Sequence, residues 1–297
     1  MYINPYQNLC NGRWLKANFH THAGTGPNTC GCNTIDDMAR IYKALNYGAL
    51  CISNHDLFTD TSAWNSENFF MVPGVEYTAD PHMLTLGVNR SLRGEFSHQE
   101  AINETNRQGG FAVLCHPNWQ RKEYLSRAQL DAFTGYAGIE VVNMLITRTD
   151  GSSIATDTWD YLLRQGKLAR GFGSDDLHAI SDAGRGWNEM YVTEDGFGGI
   201  KQAVENGALI ASTGLSLDFL LLDGNTVRVG AKYPTANYVR EFTYRFITEN
   251  GLVKTRTAKT AKLTLKDENY VRVEVVGENG AMLFTQPVCK AGAFVKP

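Results

Sequence analysis

Most histidines of this chain stand just beyond or at the edge of short apolar segments that are typical of buried strands. Six of the seven histidines in the 297 residues occupy such positions: His20, His22, His55, His82, His116 and His178. Carboxylates do the same, since Glu76 closes a Pro-Gly-Val-Glu segment and Asp175 and Asp176 follow Gly-Phe-Gly-Ser. Imidazoles and carboxylates are ligands of Zn²⁺, Fe or Mn²⁺ rather than Ca²⁺. The residue types therefore predict a transition-metal centre.

The spacing of these residues strengthens the metal interpretation. His20 and His22 stand two residues apart, so an extended strand would present both imidazoles on one face. Each of the others has an ordinary structural explanation when taken alone: Glu76 as a buried ion-paired carboxylate, residues 176–178 as a loop cap, and His116 as a turn residue before a proline. A purely structural explanation does not account for all of them together at successive strand ends.

The segments that must position these residues alternate between strand and helix from residue 14 to residue 212. Strands are predicted over residues 14–19, 49–53, 70–75, 83–88, 111–115, 139–143, 168–173 and 209–212. Between them, helices are predicted to begin after the capping residues Thr34, Ser97 and Ser126, with others near residues 155–165 and 199–206. His98 falls in the first turn of one helix and is expected to be solvated. Such alternation is typical of a parallel sheet covered by helices, either a barrel or a doubly wound sheet.

The seven or eight predicted strands favour the barrel, and in a parallel barrel the carboxyl ends of the strands meet on one face. After residue 214 the sequence changes character, with turn pairs such as Asn250-Gly251 between strand-like segments. Strands are predicted here over residues 218–222, 226–229, 239–248, 261–265, 270–276 and 281–285. This part has 12 Lys and Arg against 8 Asp and Glu, so its net charge is +4, which leaves −7 for the preceding part. We predict two domains, residues 1–213 with the metal centre and residues 214–297 as a small β-sandwich-like domain.

Composition excludes several classes of protein. With 43% hydrophobic and 20% charged residues, the chain is neither disordered nor a small disulfide scaffold. No apolar run approaches the roughly 20 residues that span a bilayer, and the N-terminus lacks a secretory signal pattern. The net charge of −3 gives no electrostatic case for nucleic acid or an anionic membrane. The six cysteines have no framework spacing, so we expect reduced thiols and a cytoplasmic location.

The motifs, in their order along the chain, resemble those of the polymerase-and-histidinol-phosphatase (PHP) superfamily. They are His20-Thr-His22, Ser-Asn-His55-Asp, Pro-Gly-Val-Glu76, His82-Met-Leu-Thr-Leu-Gly, Cys-His116-Pro and Gly-Ser-Asp-Asp176-Leu-His178. The resemblance covers about residues 16–213 and does not extend to the C-terminal strands. It implies a distorted (β/α)7 TIM-like barrel with two or three divalent metal ions, Zn, Mn or Fe, that cleaves phosphoesters.

The resemblance also implies a role for each ligand. One metal would be held by His20, His22, Glu76 and Asp176; Glu76 would bridge to a second held by His82 and His116; a third would use His55 and His178. Glu76, Asp176 and His178 are the implied catalytic residues.

Two positions depart from the family pattern. Residues 23–32 contain none of the aspartate or histidine that usually completes the third site. Either Asn28, Cys30 or Cys32 supplies that ligand, or the third metal is weak or absent. A cysteine thiolate in this site would favour Zn²⁺. We expect the two cysteines to be structural instead. Asn54 stands where the family commonly has an aspartate, which serves as a partner of the metal-binding histidines without binding the metal itself. Asp56 is the candidate to take the place of that aspartate.

The predicted reaction is hydrolysis of a small phosphomonoester or phosphodiester by a metal-activated water. The phosphoryl oxygens also need positive charge, for which the candidates are Arg185, Arg121, Arg148 and Lys16. The charge of −7 disfavours a long polyanion, so we expect a small phosphorylated substrate rather than nucleic acid or a membrane. Two alternatives are a non-catalytic, metal-dependent anion-binding module and a barrel metallohydrolase that acts on C–N bonds.

Overall fold

The computed structural model of the protein describes residues 1–26, 29–121, 124–235 and 240–297. The strands in these ranges are β1 (Tyr2–Ile3), β2 (Arg13–Asn18), β3 (Ala49–Leu50), β4 (Phe70–Met71), β5 (Gly74–Tyr77), β6 (Met83–Leu86), β7 (Phe111–Leu114), β8 (Gly138–Asn143), β9 (Arg170–Ser174), β10 (Trp187–Val192), β11 (Leu209–Ser212), β12 (Ser216–Asp223), β13 (Thr226–Lys232), β14 (Phe242–Thr248), β15 (Gly251–Ala258), β16 (Thr260–Thr264), β17 (Tyr270–Val276), β18 (Met282–Thr285) and β19 (Val288–Lys290). The α-helices are α1 (Ile35–Ala44), α2 (His98–Arg107), α3 (Arg127–Ala132), α4 (Thr156–Arg164) and α5 (Phe197–Asn206).

The predicted mixture of helices and strands is confirmed as a mixed α/β fold with two large sheets. One sheet has the order β5-β6-β7-β8-β9, and the other runs β1-β19-β17-β18-β11-β10-β2-β3-β4, with β14 and β15 added at β17. Within the described ranges these ladders do not close into a barrel. Isolated parallel bridges join the two sheets, one between Thr21 and Leu177 and one between His55 and Glu76.

The prediction of an all-parallel sheet is wrong at two places. The strands β2, β3 and β4 run parallel, as do β7, β8 and β9, but β6 is antiparallel to both β5 and β7. Only five residues connect β5 to β6, which is too short for the helical crossover that parallel neighbours require. The unpredicted strand β10 likewise lies antiparallel between β2 and β11.

Helix starts follow the predicted capping residues. The Thr34 hydroxyl accepts a hydrogen bond from the Asp37 N–H at 3.2 Å, and the Ser126 hydroxyl accepts one from the Gln129 N–H at 3.2 Å. Ser97 and Glu100 form a capping box at the start of α2. These local contacts satisfy N–H groups that lack a partner in the first helical turn.

The expectation for His98 is wrong. It opens α2, but its Nε2 lies 2.9 Å from the carbonyl oxygen of Pro81. Its ring also stacks on Phe133, with centroids 5.5 Å apart. The ring is therefore packed against the segment before β6 rather than solvated.

The C-terminal part is built from strands, as predicted. The strands β12, β13 and β16 form a separate three-stranded sheet, whereas β18 pairs with β11 and β19 pairs with β1. Leu217, Tyr244, Phe246 and Val273 belong to a buried apolar cluster in this part. The strand β15 was not predicted because its side chains are almost all exposed and give no alternation of buried and exposed positions. Residue 239, where one predicted strand begins, lies outside the described residues.

A buried ion pair attaches the C-terminal strands to α4. The Arg272 side chain in β17 is 1% exposed, and its guanidinium contacts the Asp160 carboxylate at 2.7 and 2.8 Å and Glu274 at 2.8 Å. Elsewhere, Gln286 accepts the Gly171 N–H at 3.0 Å and donates to the Gly171 carbonyl at 2.8 Å. Among the described residues, no helix has the length and apolar character needed to cross a membrane.

Candidate metal centre

The strand ends bring the eight predicted ligands into one cluster: His20, His22, His55, Glu76, His82, His116, Asp176 and His178. His82 reaches the cluster from the start of a strand rather than from its end. Because β6 is antiparallel, its first residue lies beside the carboxyl ends of β5 and β7, and the Cys115 N–H donates to the His82 carbonyl at 3.0 Å. The reversed strand therefore delivers its histidine to the same edge.

Glu76 lies at the centre of the cluster and is fully buried. Its Oε1 is 2.9 Å from His82 Nδ1, 3.3 Å from His20 Nε2 and 3.4 Å from His116 Nε2, and its Oε2 is 2.7 Å from His55 Nδ1 and 3.4 Å from His22 Nε2. Burial opposes its charge, but the surrounding imidazoles, His20 first, hold the pKa of Glu76 well below its ordinary value. The two oxygens thus face two different groups of imidazoles, three at Oε1 and two at Oε2.

Several buried atoms that face one another in the cluster have no hydrogen-bond partner. They are His20 Nε2, both ring nitrogens of His22, His55 Nδ1, Glu76 Oε2 and Asp176 Oδ1. Asp176 Oδ1 lies 3.3 Å from Nε2 of both His20 and His22. A buried polar atom without a partner costs about 1–3 kcal/mol, and a shared cation would satisfy several of these lone pairs at once. The donor set therefore fits divalent transition metals.

Glu140 orients His20. The His20 Nδ1–H donates to Glu140 Oε1 at 2.8 Å, which leaves the Nε2 lone pair toward Glu76. Glu140 is 1% exposed and also accepts from Ser174 Oγ at 2.6 Å and from the His116 N–H at 2.8 Å. Although burial opposes protonation of His20, nearby carboxylates raise its pKa well above the ordinary value. The sequence reasoning missed Glu140; the available signal was a single carboxylate within an apolar predicted strand.

Two of the cluster residues have a left-handed backbone. The φ angle is 29° at His116 and 49° at Asp176, although neither is glycine. Such strain is held in place by surrounding contacts and concentrates at functional sites. Here the Tyr124 hydroxyl lies 2.9 Å from His116 Nδ1, and the Asn143 amide donates to Asp176 Oδ2 at 3.1 Å.

Asp175 does not join the cluster. Its carboxylate accepts the backbone N–H groups of Gly184, Arg185 and Gly186 at 2.9, 2.6 and 2.7 Å, and the Tyr42 hydroxyl at 2.8 Å. Burial raises the pKa of Asp175 to about 6. It stabilises the turn before β10.

Cys30 lies beside three of the histidines. One ligand atom each from Cys30, His22, His55 and His178 lie within 4.8 Å of one another. Burial opposes ionisation of the thiol, but the adjacent imidazoles of His178, His22 and His55 lower the pKa of Cys30 to about 4. The structure thus places Cys30 among the histidines of the third site, and its structural role stays a prediction. Asn28 lies outside the described residues.

Asn54 serves the loop rather than a ligand. Its amide accepts the Ala23 N–H at 2.9 Å and donates to the Ala23 carbonyl and to Thr25 Oγ1, both at 3.0 Å. Asp56 accepts from the Thr78 N–H at 3.0 Å and from Arg93 at 2.6 Å. Because these are its partners, Asp56 does not take the outer role proposed for it.

Two of the four predicted basic residues border the cluster. Arg121 Nη1 is 3.3 Å from Asp80 Oδ1, which is itself 3.5 Å from His82 Nε2. Arg148 Nη2 is 2.6 Å from Asp182 Oδ2, which accepts the His178 N–H at 3.0 Å. Each arginine is thus one carboxylate away from a cluster histidine, and both are exposed.

The other two basic residues differ. Arg185 donates to Thr147 Oγ1 at 3.1 Å, on the same side as Arg148. The structure does not bring Lys16 to the cluster, because its ammonium lies 4.1 and 4.0 Å from the ring centroids of Tyr47 and Trp187. On an extended strand it stands roughly 13 Å before His20, at about 3.3 Å per residue.

Comparison with known proteins finds similarity only among solved structures. A scan against protein-family models and a search of curated proteins found no match to this chain. Among solved structures, the chain is similar to a two-domain protein from Bacteroides vulgatus that contains a predicted PHP-like metal-dependent phosphoesterase, with a TM-score of 0.56, 15% identity and 93% of each chain covered. It is also similar to the lesion-specific endonuclease EndoQ from Pyrococcus furiosus, with a TM-score of 0.45 and 14% identity over 65% of this chain and 56% of that one. The first similarity shows that the chain shares the fold of the two-domain protein.

Proposed function

We propose that this protein is a metal-dependent phosphoesterase that hydrolyses a small phosphomonoester or phosphodiester. The observation that carries the proposal is the position of Glu76, whose two carboxylate oxygens face two different groups of imidazoles. A carboxylate shared in this way suits a pair of neighbouring metal ions. The fold shared with the two-domain protein supports the same reaction class.

We take the ligand sets from the resemblance of the motifs to the PHP superfamily. We assign His20, His22, Glu76 and Asp176 to one ion and Glu76, His82 and His116 to the second, with Zn, Mn or Fe as the metal. Two such ions, when bound, activate a water and stabilise the attacking and leaving oxygens of an in-line displacement.

The chain's own residues prepare this centre. The surrounding imidazoles keep Glu76 and Asp176 ionised, since the pKa of each carboxyl is lowered despite burial. His178 is half-buried, and its Nδ1–H donates to the Asp176 carbonyl at 3.0 Å, which leaves Nε2 with a lone pair at the open side of the cluster. We therefore assign Glu76, Asp176 and His178 as the catalytic residues.

The substrate class follows from the charges around the cluster. Arg121 borders the His82 side and Arg148 and Arg185 border the His178 side, so a compact phosphate ester between them would meet positive charge from both directions. The net charge of −7 in residues 1–214 disfavours a long nucleic acid. We omit Lys16 from the substrate site because its ammonium faces aromatic rings.

We interpret residues 1–213 as a distorted (β/α)7 barrel domain and residues 214–297 as an added β-domain. Strands β2, β3 and β4 lie in one sheet and β5 to β9 lie in the other. The parallel bridges Thr21–Leu177 and His55–Glu76 join the two sheets, which supports this interpretation. We place the protein in the cytoplasm because all six cysteines are free thiols.

The test is metal-restored hydrolysis. The protein is stripped with a chelator, reloaded separately with Mn²⁺, Zn²⁺ and Fe²⁺, and assayed with an aryl phosphate and a panel of phosphorylated metabolites. We expect phosphate release that His116→Ala abolishes and that His98→Ala, a histidine outside the cluster, retains. Ammonia release from amide substrates in place of phosphate release would establish the C–N hydrolase instead. Tight metal binding with no turnover would establish the anion-binding module.

A further inference from the structure

The loop after β2 carries a thiol to the open side of the metal centre. Cys30 is exposed, and its sulfur belongs to a group with His22, His55 and His178 whose ligand atoms all lie within 4.8 Å. The rings of this group are close together, with centroids 4.3 Å apart for His22 and His178 and 4.5 Å apart for His22 and His55. Neither Glu76 nor Asp176 belongs to this group.

The described parts of the loop are held against the histidines by backbone contacts. The Gly24 N–H donates to the Asn33 carbonyl at 2.7 Å, and the Cys32 N–H donates to the His178 carbonyl at 3.0 Å. Gly31 packs so closely that a Cβ there would stand 2.4 Å from the His22 carbonyl oxygen. Since these contacts flank Cys30, its position beside the imidazoles is built into the fold.

The imidazoles of the group have lone pairs to offer. His178 Nδ1–H donates to the Asp176 carbonyl, so its Nε2 is unprotonated in the neutral ring. His55 Nδ1 faces Glu76 Oε2 at 2.7 Å, which leaves Nε2 for another ligand role. His22 is fully buried, and neither of its ring nitrogens has a hydrogen-bond partner. Its Nε2 faces Glu76 and Asp176 and belongs to the first ion site, so Nδ1 is a buried polar atom that the two assigned ions leave without a partner.

We propose that the Cys30 thiolate, in place of the aspartate or histidine of the family pattern, completes the third cation site with His55 and His178, bordered by His22, and makes that site selective for Zn²⁺. Thiolate and imidazole donors together suit zinc, whereas Mn²⁺ prefers oxygen ligands. Zinc usually has four ligands, so three protein ligands leave one coordination position for water or substrate. This arrangement is typical of catalytic rather than structural zinc sites. This inference rests on the proposed function, because the site adjoins the two ion sites assigned around Glu76.

Cobalt substitution tests the thiolate directly. The chelator-treated protein is titrated with Co²⁺, and we expect a near-ultraviolet thiolate-to-cobalt charge-transfer band in the wild type and in Cys32→Ser. Cys32 is an exposed cysteine two residues away and serves as the matched control. In Cys30→Ser the band should be absent, while the visible cobalt absorption of the histidine and carboxylate sites remains. A band that persists in Cys30→Ser, or that disappears in Cys32→Ser instead, would overturn the assignment.

Metal content and thiol protection give a second readout. With Zn²⁺, we expect Cys30→Ser to bind one ion fewer per chain than Cys32→Ser, and we expect zinc to slow alkylation of Cys30 but not of Cys32 by iodoacetamide, measured by peptide mass. Equal zinc content and equal alkylation with and without zinc would refute the third site. If the wild type binds cobalt and hydrolyses phosphate esters without the band, this inference alone fails. If it binds no metal, the proposed function fails with it.

Discussion

Replacing Glu140 with glutamine should weaken metal binding although Glu140 is not itself a ligand. Its two oxygens accept four hydrogen bonds, from His20 Nδ1 and Ser174 Oγ on Oε1 and from the His116 N–H and Asn143 Nδ2 on Oε2. The backbone N–H of His116 must remain a donor, so the glutamine oxygen has to take the Oε2 position. The amide nitrogen then faces His20 Nδ1.

That exchange reverses the tautomer of His20. With a donor opposite Nδ1, the neutral imidazole carries its proton on Nε2, the atom that lies 3.3 Å from both Glu76 Oε1 and Asp176 Oδ1. Loss of a carboxylate partner behind a metal-binding histidine typically costs about 10–100-fold in metal affinity. At about 1.4 kcal/mol per tenfold change, this corresponds to roughly 1.4–2.8 kcal/mol of binding free energy.

The assay is zinc competition against a chromophoric chelator, with thermal denaturation to establish that the variant is folded. Glu189→Gln is the matched control, because Glu189 also accepts a serine hydroxyl, from Ser216 at 2.6 Å, but lies outside the metal cluster. We expect Glu140→Gln to bind zinc about 10–100-fold more weakly and Glu189→Gln to bind it normally. Equal affinities in two folded variants would refute the argument that Glu140 sets the tautomer of His20.

Three further outcomes are expected. Glu76→Gln should lose bound metal and hydrolysis together, measured by metal analysis and phosphate release; normal metal content with full turnover would contradict its bridging role. In metal-free protein burial opposes the charge of His55, but the adjacent Cys30 thiol and Glu76 carboxylate raise the pKa of His55 to about 10. Its stabilising effect is therefore complete below the ordinary value of 6.5 and is lost as pH rises through 10. Thermal denaturation in the presence of a chelator should show that stability declines over this pH range, and His55→Gln should flatten the decline. The same pH dependence of stability in the variant would refute the link to His55. Arg272→Met should lower the free energy of unfolding by about 3–5 kcal/mol because it leaves a carboxylate without its buried partner, whereas Lys290→Met, at an exposed pair, should cost less than about 1 kcal/mol in urea denaturation. Similar losses in the two variants would contradict that reasoning.

Local sequence determined much of the centre and of the helices. A few neighbouring residues are enough to identify three features: the histidines His20 and His22 two residues apart, Glu76 at the end of an apolar segment, and the capping residues Thr34 and Ser126. They could be predicted because each depends on backbone geometry over one strand or one helical turn. The alternation of helices and strands follows from the same short-range patterns.

The tertiary structure alone decided how these pieces meet. Glu140 faces His20 only because β8 is placed across the cluster from β2, a contact between residues 120 positions apart. Cys30 reaches its imidazoles because the loop folds back onto His178, and His82 joins them because β6 runs antiparallel. Strand direction, register and loop path depend on packing between distant segments, and no local pattern of residue types specifies those contacts.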